Sequence, residues 1–126
     1  MKITRYTELV VYQTAKSLAM EIFVLSKSFP PEERYSLTDQ IRRSSRSVCA
    51  NLAEAWRKRH YKSAFIAKIV DCESEASETQ TWLEFAQECG YLDPTKHRYL
   101  YDGYDRVAGQ LVTIRLNPDR WILPLR

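Results

Sequence analysis

The sequence predicts an all-α protein: one domain over 1–126, folded as an antiparallel up-down-up-down bundle of four helices. Three observations predict it. Apolar residues recur every three or four positions through four long segments, the period of a helix packed on one side. Helix breakers are scarce, with three Gly and five Pro in 126 residues, and every Pro falls near a segment end. The connections are short, and short connections between long helices make antiparallel neighbours. A chain of this size buries roughly two-thirds of the surface its unfolded state exposes, enough for a core.

The first helix is expected over about 7–27, with Val11, Ala15, Leu18, Ile22, Leu25 and Phe29 as its inner stripe. Pro30 and Pro31 end it, because Pro lacks the N–H and clashes with the preceding turn. The second is expected over 37–59, opened by Ser36 and Asp39 as an approximate capping box. Its inner stripe is Leu37, Ile41, Ser45, Val48, Leu52 and Ala55. The third spans 62–89, roughly 40 Å at about 1.5 Å per residue. It buries Phe65, Ile69, Cys72, Ala76, Thr79, Leu83 and Ala86, and Gly90 follows where a left-handed residue belongs. Asp93-Pro94 reads as N-cap and first residue of the fourth helix, 95–116, whose stripe is Leu100, Tyr104, Val107, Leu111 and Ile114. Gly103 and Gly109 each cost about 1 kcal/mol there relative to Ala. Gly109 reads as allowing a close helix approach. Asn117-Pro118 ends the helix, and the tail 117–126, with its apolar WILPLR, is expected to dock on the bundle.

No apolar run is long enough to span a bilayer, and the opening MKITRYTELVVYQ lacks the apolar core of a secretion signal. Cys49, Cys72 and Cys89 are odd in number and lack C-x-x-C spacing, so reduced, mostly buried thiols are expected. A cytoplasmic protein with no membrane partner follows as the expectation.

Net charge is only +3, but the charges are segregated. Residues 39–62 hold seven bases (Arg42, Arg43, Arg46, Arg57, Lys58, Arg59, Lys62) and two acids (Asp39, Glu54), net +5. Residues 71–88 hold six acids and no base, net −6. On a wheel with Ile41 at zero, Arg42, Arg46, Arg57 and Arg43 fall at about 100°, 140°, 160° and 200°, opposite the apolar stripe. Three readings stand open. The faces are solvated, with ion pairs between neighbouring helices. Or the charges are complementary between subunits of an oligomer. Or the basic face is an electrostatic footprint for phosphate. Trp56 and Trp82 flank their stripes, either as core edge or as anchors of a subunit contact.

Catalytic chemistry is missing. Neither His60 nor His97 has Glu three residues before it, as a di-iron bundle requires. Helical ribonucleases that place Arg one or two turns before His would need it at 53–55 or 90–92, and no Arg stands there. There is no Gly-rich phosphate loop and no G-x-S-x-G. Ser44 and Ser45 read as small packing positions. No catalytic residue, metal, cofactor or small-molecule substrate is expected.

The stretch QIRRSSRSVCANLAE, Gln40 to Glu54, resembles the signature Q-(I/L)-R-(R/K)-(A/S)-x-x-S-(I/V)-x-x-N-(I/L)-A-E-G of the bacterial 23S rRNA intervening-sequence-encoded proteins, or four helix bundle proteins. Phe65, Glu78, Leu83, Ala86, the Gly90-Tyr91-Leu92 stop and the opening LVVYQTAKSLAMEIF match as well, so the likeness covers about 8–115. Three departures stand out. Ala55 replaces the Gly after Ala-Glu, which carries the helix on through Trp56. Glu75 stands where the family tends to have Ser, and the tail is particular to this chain. The resemblance implies a bundle assembling as a ring, commonly a pentamer. It also implies kinship with the accessory proteins of diversity-generating retroelements, basic pentameric barrels that bind nucleic acid and a reverse transcriptase.

Two functions are therefore expected as alternatives. In the first, a non-enzymatic ring binds structured RNA or DNA. Arg42, Arg43, Arg46 and Arg57 contact phosphates, and Lys58, Arg59 and Lys62 extend the patch. In the second, a homo-oligomeric scaffold pairs the same arginines with helix 3 acids of a neighbouring subunit. Gln40, Asn51, Glu54, Trp56, Glu75, Glu78 and Trp82 are the expected oligomer interface. Gln40, Asn51 and Glu54 share one flank of helix 2, at about 260°, 280° and 220°, as an interhelical or intersubunit hydrogen-bond network.

Overall fold

The first helix, α1, runs Val10–Ser26 in a computed structural model that describes residues 2–124. It starts three residues later than the apolar period suggests. The Glu8 carboxylate accepts from the Thr4 and Arg5 backbone amides at 2.8 and 2.9 Å, closing a separate 3-10 turn, Tyr6–Glu8. Leu9 is extended between the two. Pro31–Glu33 forms a further short turn before α2, Leu37–Arg57. Helix α3 runs Lys62–Glu88 and α4 runs Pro94–Leu116, followed by the turn Pro118–Arg120. The described residues contain no strand.

Helix α1 packs on α2 and α4, and α3 packs on the same two, so the four close into a square bundle. Cross-helix pairs fix the antiparallel register. Phe23 and Ser26 of α1 meet Arg46 and Arg42 of α2. Glu54 and Arg43 of α2 meet Lys68 and Glu78 of α3. Glu73 and Gln80 of α3 meet Arg115 and Asp105 of α4.

The core is the set the period singled out. Ile22, Ile41, Val48, Leu52, Ile69, Leu83, Leu100, Tyr104, Val107 and Leu111 are all fully buried. Leu25 and Ile114, at the stripe ends, are half-buried. Ser44 and Ser45 are buried, and Thr79 Oγ1 donates to Ser44 Oγ at 2.9 Å across the α2–α3 contact. Helix α2 continues past Ala55 as expected and ends at Arg57.

The ends are capped, though not all by the expected groups. Asp93 Oδ1 accepts from Lys96 N at 2.8 Å, with Pro94 in first position. Gly90, at φ +81°, closes α3. Tyr91 N donates to Ala86 O and Gly90 N to Gln87 O, both at 2.9 Å, the paired bonds of a Schellman end. The Ser36–Asp39 capping box does not form. Glu33 takes its place, its Oε1 accepting from Ser36 Oγ at 2.7 Å and Leu37 N at 3.3 Å. Tyr91 donates to Glu33 Oε2 at 2.9 Å and locks this corner to the end of α3.

The close helix approach is at Gly103, not Gly109. A Cβ at Gly103 would stand 2.6 Å from Leu18 Cδ2, whereas Gly109 has open space. The thiols also differ from expectation: Cys72 is buried and Cys49 half-buried, but Cys89 is exposed just past the end of α3. Burial pushes the Cys49 and Cys72 thiols up to about 11 and about 12, so both stay protonated and unreactive at neutral pH. The tail docks at the α2–α3 turn. Leu123 N donates to Arg59 O at 2.8 Å, and Trp121 and Ile122 rest on the core. Its last two residues, 125 and 126, lie outside the described residues.

Candidate nucleic-acid interface

Helix α2 divides into three stripes. The apolar one is core. A polar one, formed by Gln40, Arg43, Ser47, Asn51 and Glu54 at helical spacing, faces the α2–α3 groove. The third, with Arg46, Ala50 and Arg57, is exposed. The wheel placed the arginines together, opposite the core, but the neighbouring helices separate them.

The polar stripe meets α3 residue by residue. Lys68 Nζ lies 3.1 Å from both Asn51 Oδ1 and Glu54 Oε1, and 3.7 Å from Asp71. The bond to Glu54 comes first among the causes that hold the Lys68 ammonium above its ordinary pKa. Asn51 Nδ2 donates back to Ser47 O at 2.9 Å, so its amide is fully engaged. Arg43 forms a short ion pair with Glu78. The same Glu78 oxygen accepts from Trp82 Nε1 at 3.1 Å. Arg43 reaches Glu75 only at 3.7 Å, beyond hydrogen-bond range. That Glu75 oxygen is buried with no donor among the described residues. Burial, and then the Glu78 charge, raise the Glu75 carboxyl above its ordinary range. Asn51 and Glu54 thus share an interhelical network inside one chain. Gln40 stands apart from it and only approaches Arg43 Nε, at 3.4 Å.

The basic residues fall into two groups. Five are engaged. Arg42 donates from Nε to Ser26 Oγ at 2.8 Å, and its guanidinium lies 4.9 Å from the Phe23 ring centre. Arg43 serves the α3 acids. Arg59 lies 3.4 Å over the Trp56 ring and donates to Trp56 O at 2.8 Å. Burial lowers its pKa. Lys62 pairs with Asp119 of the tail turn at 2.9 Å. Arg46 leans on Phe23 at 5.5 Å but has no acid partner among the described residues. Arg57 and Lys58 are exposed and likewise have none among them. The seven-base patch of the sequence is therefore narrower than its count. Arg43 and Lys62 are neutralised within the chain, and Arg59 is covered by its own turn.

Trp56 takes the core-edge role of its two expected ones within the chain. It is 9% exposed and belongs to the core, where its ring also serves Arg59. Trp82 is half-buried and packs on the exposed Phe85, with ring centres 5.8 Å apart, beside Tyr35 and Cys89. Three residues with a part in this surface, Lys68, Phe23 and Lys27, were not singled out from the sequence. Lys68 was legible as one of two bases, with Lys62, on a helix otherwise charged by acids alone. Phe23 and Lys27, one turn apart at the end of α1, carried no signal until α1 was laid against α2.

A four-helix bundle whose second helix sorts an apolar, a polar and a basic stripe defines the class. The chain belongs to the 23S rRNA-intervening sequence protein family, whose pattern matches residues 7–113. A solved structure of a protein of unknown function from the S23 ribosomal protein family of Bacteroides thetaiotaomicron is similar to it. The two are 27% identical with a TM-score of 0.76, over 84% of this chain and 98% of that one. No curated protein matches the chain. The docked tail lies beyond the family pattern.

Proposed function

We propose that the protein is a non-enzymatic, cytoplasmic nucleic-acid-binding module that acts as a homo-oligomeric ring, with five copies as the expected number. It engages structured RNA or duplex DNA through the exposed stripe of α2. One observation carries the reading: Arg42, Arg46 and Arg57 on α2, and Lys58 just past its end, have no carboxylate partner among the described residues. Cations held this way release counterions from a phosphate backbone and bind with little sequence preference. Repetition around a ring converts modest contacts into avidity.

The double variant Arg46→Glu with Arg57→Glu tests it. Affinity for both a duplex DNA and a structured rRNA fragment should fall at least tenfold, with the helical circular dichroism unchanged. Unaltered affinity in a folded variant contradicts the reading.

A second reading, a protein-interaction scaffold, is favoured by different surfaces. Val10, Met20 and Val24 make an exposed apolar stripe on α1, and Phe85 is exposed beside Trp82 on α3. The intersubunit version of the Arg43 pairing has less to do, because Arg43 already finds Glu78 in its own chain. On this reading, light scattering of a Met20→Glu, Val24→Glu variant reports a smaller particle, while Arg46→Glu with Arg57→Glu leaves the size unchanged.

A further inference from the structure

We propose that Lys27, Arg42 and Arg46 form a seat for one backbone phosphate, in the groove between α1 and α2. The proposal rests on the nucleic-acid reading above and adds to it a second helix and a defined ligand group.

The geometry comes from two antiparallel columns. Lys27, the residue that follows α1, lies one turn past Phe23, and Arg42 and Arg46 are one turn apart on α2. All three cations converge on the one ring: Lys27 Nζ and the Arg42 Cζ lie 4.9 Å from its centre, the Arg46 Cζ 5.5 Å. None of them makes an ion pair among the described residues. Like charges gathered so closely repel, and an aromatic face offsets only part of that. An oxyanion placed among them removes the repulsion.

Arg42 is prearranged for it. Ser26 Oγ holds its Nε and in turn donates to Phe23 O at 2.9 Å. Both terminal amino groups are left free of partners among the described residues, and a guanidinium presents such groups as a fork that matches two phosphate oxygens. Lys27 adds a mobile point charge from the other bank. The surroundings favour a polymer over a free ion. A furrow of about 480 Å³, lined by Lys27, Pro31, Arg34, Thr38 and Arg42, leads in from one end. A second, lined by Arg42, Arg46, Ser47 and Ala50, leads out along α2. A seat open at both ends suits a chain of phosphates. Asp39, which is exposed, borders both furrows and is the one carboxylate lining them among the described residues.

The experiment measures binding of a labelled duplex DNA from 50 to 200 mM KCl for the unsubstituted protein, Lys27→Ala, Phe23→Leu and Lys16→Ala. Lys16 is an exposed α1 cation on the same helix face, two turns before Phe23, and is not among the cations on its ring. Lys27→Ala should weaken binding and flatten the log–log slope by about one unit. The ratio of affinities at the two salt concentrations then shrinks about 3.5-fold. Phe23→Leu should weaken binding, and Lys16→Ala should leave the slope alone. If the unsubstituted protein binds and Lys27→Ala keeps its slope, or if Lys16→Ala loses as much, the seat is wrong and the broader reading survives. If the unsubstituted protein does not bind at all, both fall. Inorganic phosphate replacing chloride at equal ionic strength separates the sources. Strong competition would make the site one for the free ion and overturn the polymer assignment.

Discussion

Gly103 and Gly109 both lie on α4 and behave as opposites in the fold. Gly109 is exposed with free space at its Cβ position, so Gly109→Ala should raise stability by about 0.5–1 kcal/mol through the helix backbone alone. At Gly103 the same change drives a methyl group into Leu18, which is itself buried. Overpacking of about 1–3 kcal/mol should outweigh the helix gain. Thermal unfolding of the two variants should therefore move in opposite directions, and a rise for both would contradict the packing. The helical period already separates them: Gly103 lies at the edge of the α4 inner stripe and Gly109 about 180° from it. What the period does not say is which group stands opposite a residue, here Leu18. Arg42 and Arg43 repeat the lesson. One residue apart, they turn to different neighbours, Ser26 on α1 and Glu78 on α3. Only the helix order separates them.

At the scale of elements, whatever depended on short spacing was legible. All four apolar stripes, the Asp93 cap and the Gly90 stop follow from residues within a turn of one another. The start of α2 was not, because its cap comes from Glu33 and is held by Tyr91, which is 58 residues away in sequence. This corner should give the protein a pH signature. Hydrogen bonds from Ser36 and Tyr91 hold the Glu33 carboxyl below its ordinary 4.5. Its contribution is complete above that value and is lost as pH falls through the lower, folded value. The bond to ionised Glu33 pushes Tyr91 from 10.0 up to about 12. That contribution is complete below pH 10.0 and is lost as pH rises toward about 12. The difference in melting temperature between the unsubstituted protein and Tyr91→Phe should therefore be largest between these limits. It should shrink toward both extremes, as read by circular dichroism across pH. A difference independent of pH would mean the phenol acts by packing alone.

Across the whole molecule, net charge conceals a protein with a basic helix beside an acidic one. Proximity turns part of that segregation into internal pairing: Arg43 with Glu78, Lys68 with Glu54, Arg115 with Glu73. Lys62 pairs with Asp119, and the turn around Arg59 is tied to the tail through Leu123. The sequence could count the bases but could not say which were already answered, since Arg43 is answered from α3 and Lys62 from the tail, and only Arg59 from its own turn. What remains unanswered is Arg42, Arg46 and Arg57 on α2 with Lys58 just past its end, and these four are the basis of the functional claim. The most direct test is the salt dependence of binding to a duplex DNA by fluorescence anisotropy. Four open cations per chain predict a log–log slope of about −3.6 for each chain engaged. A slope near zero, or no binding at the lowest salt, would contradict it and leave the basic stripe as a solvated face.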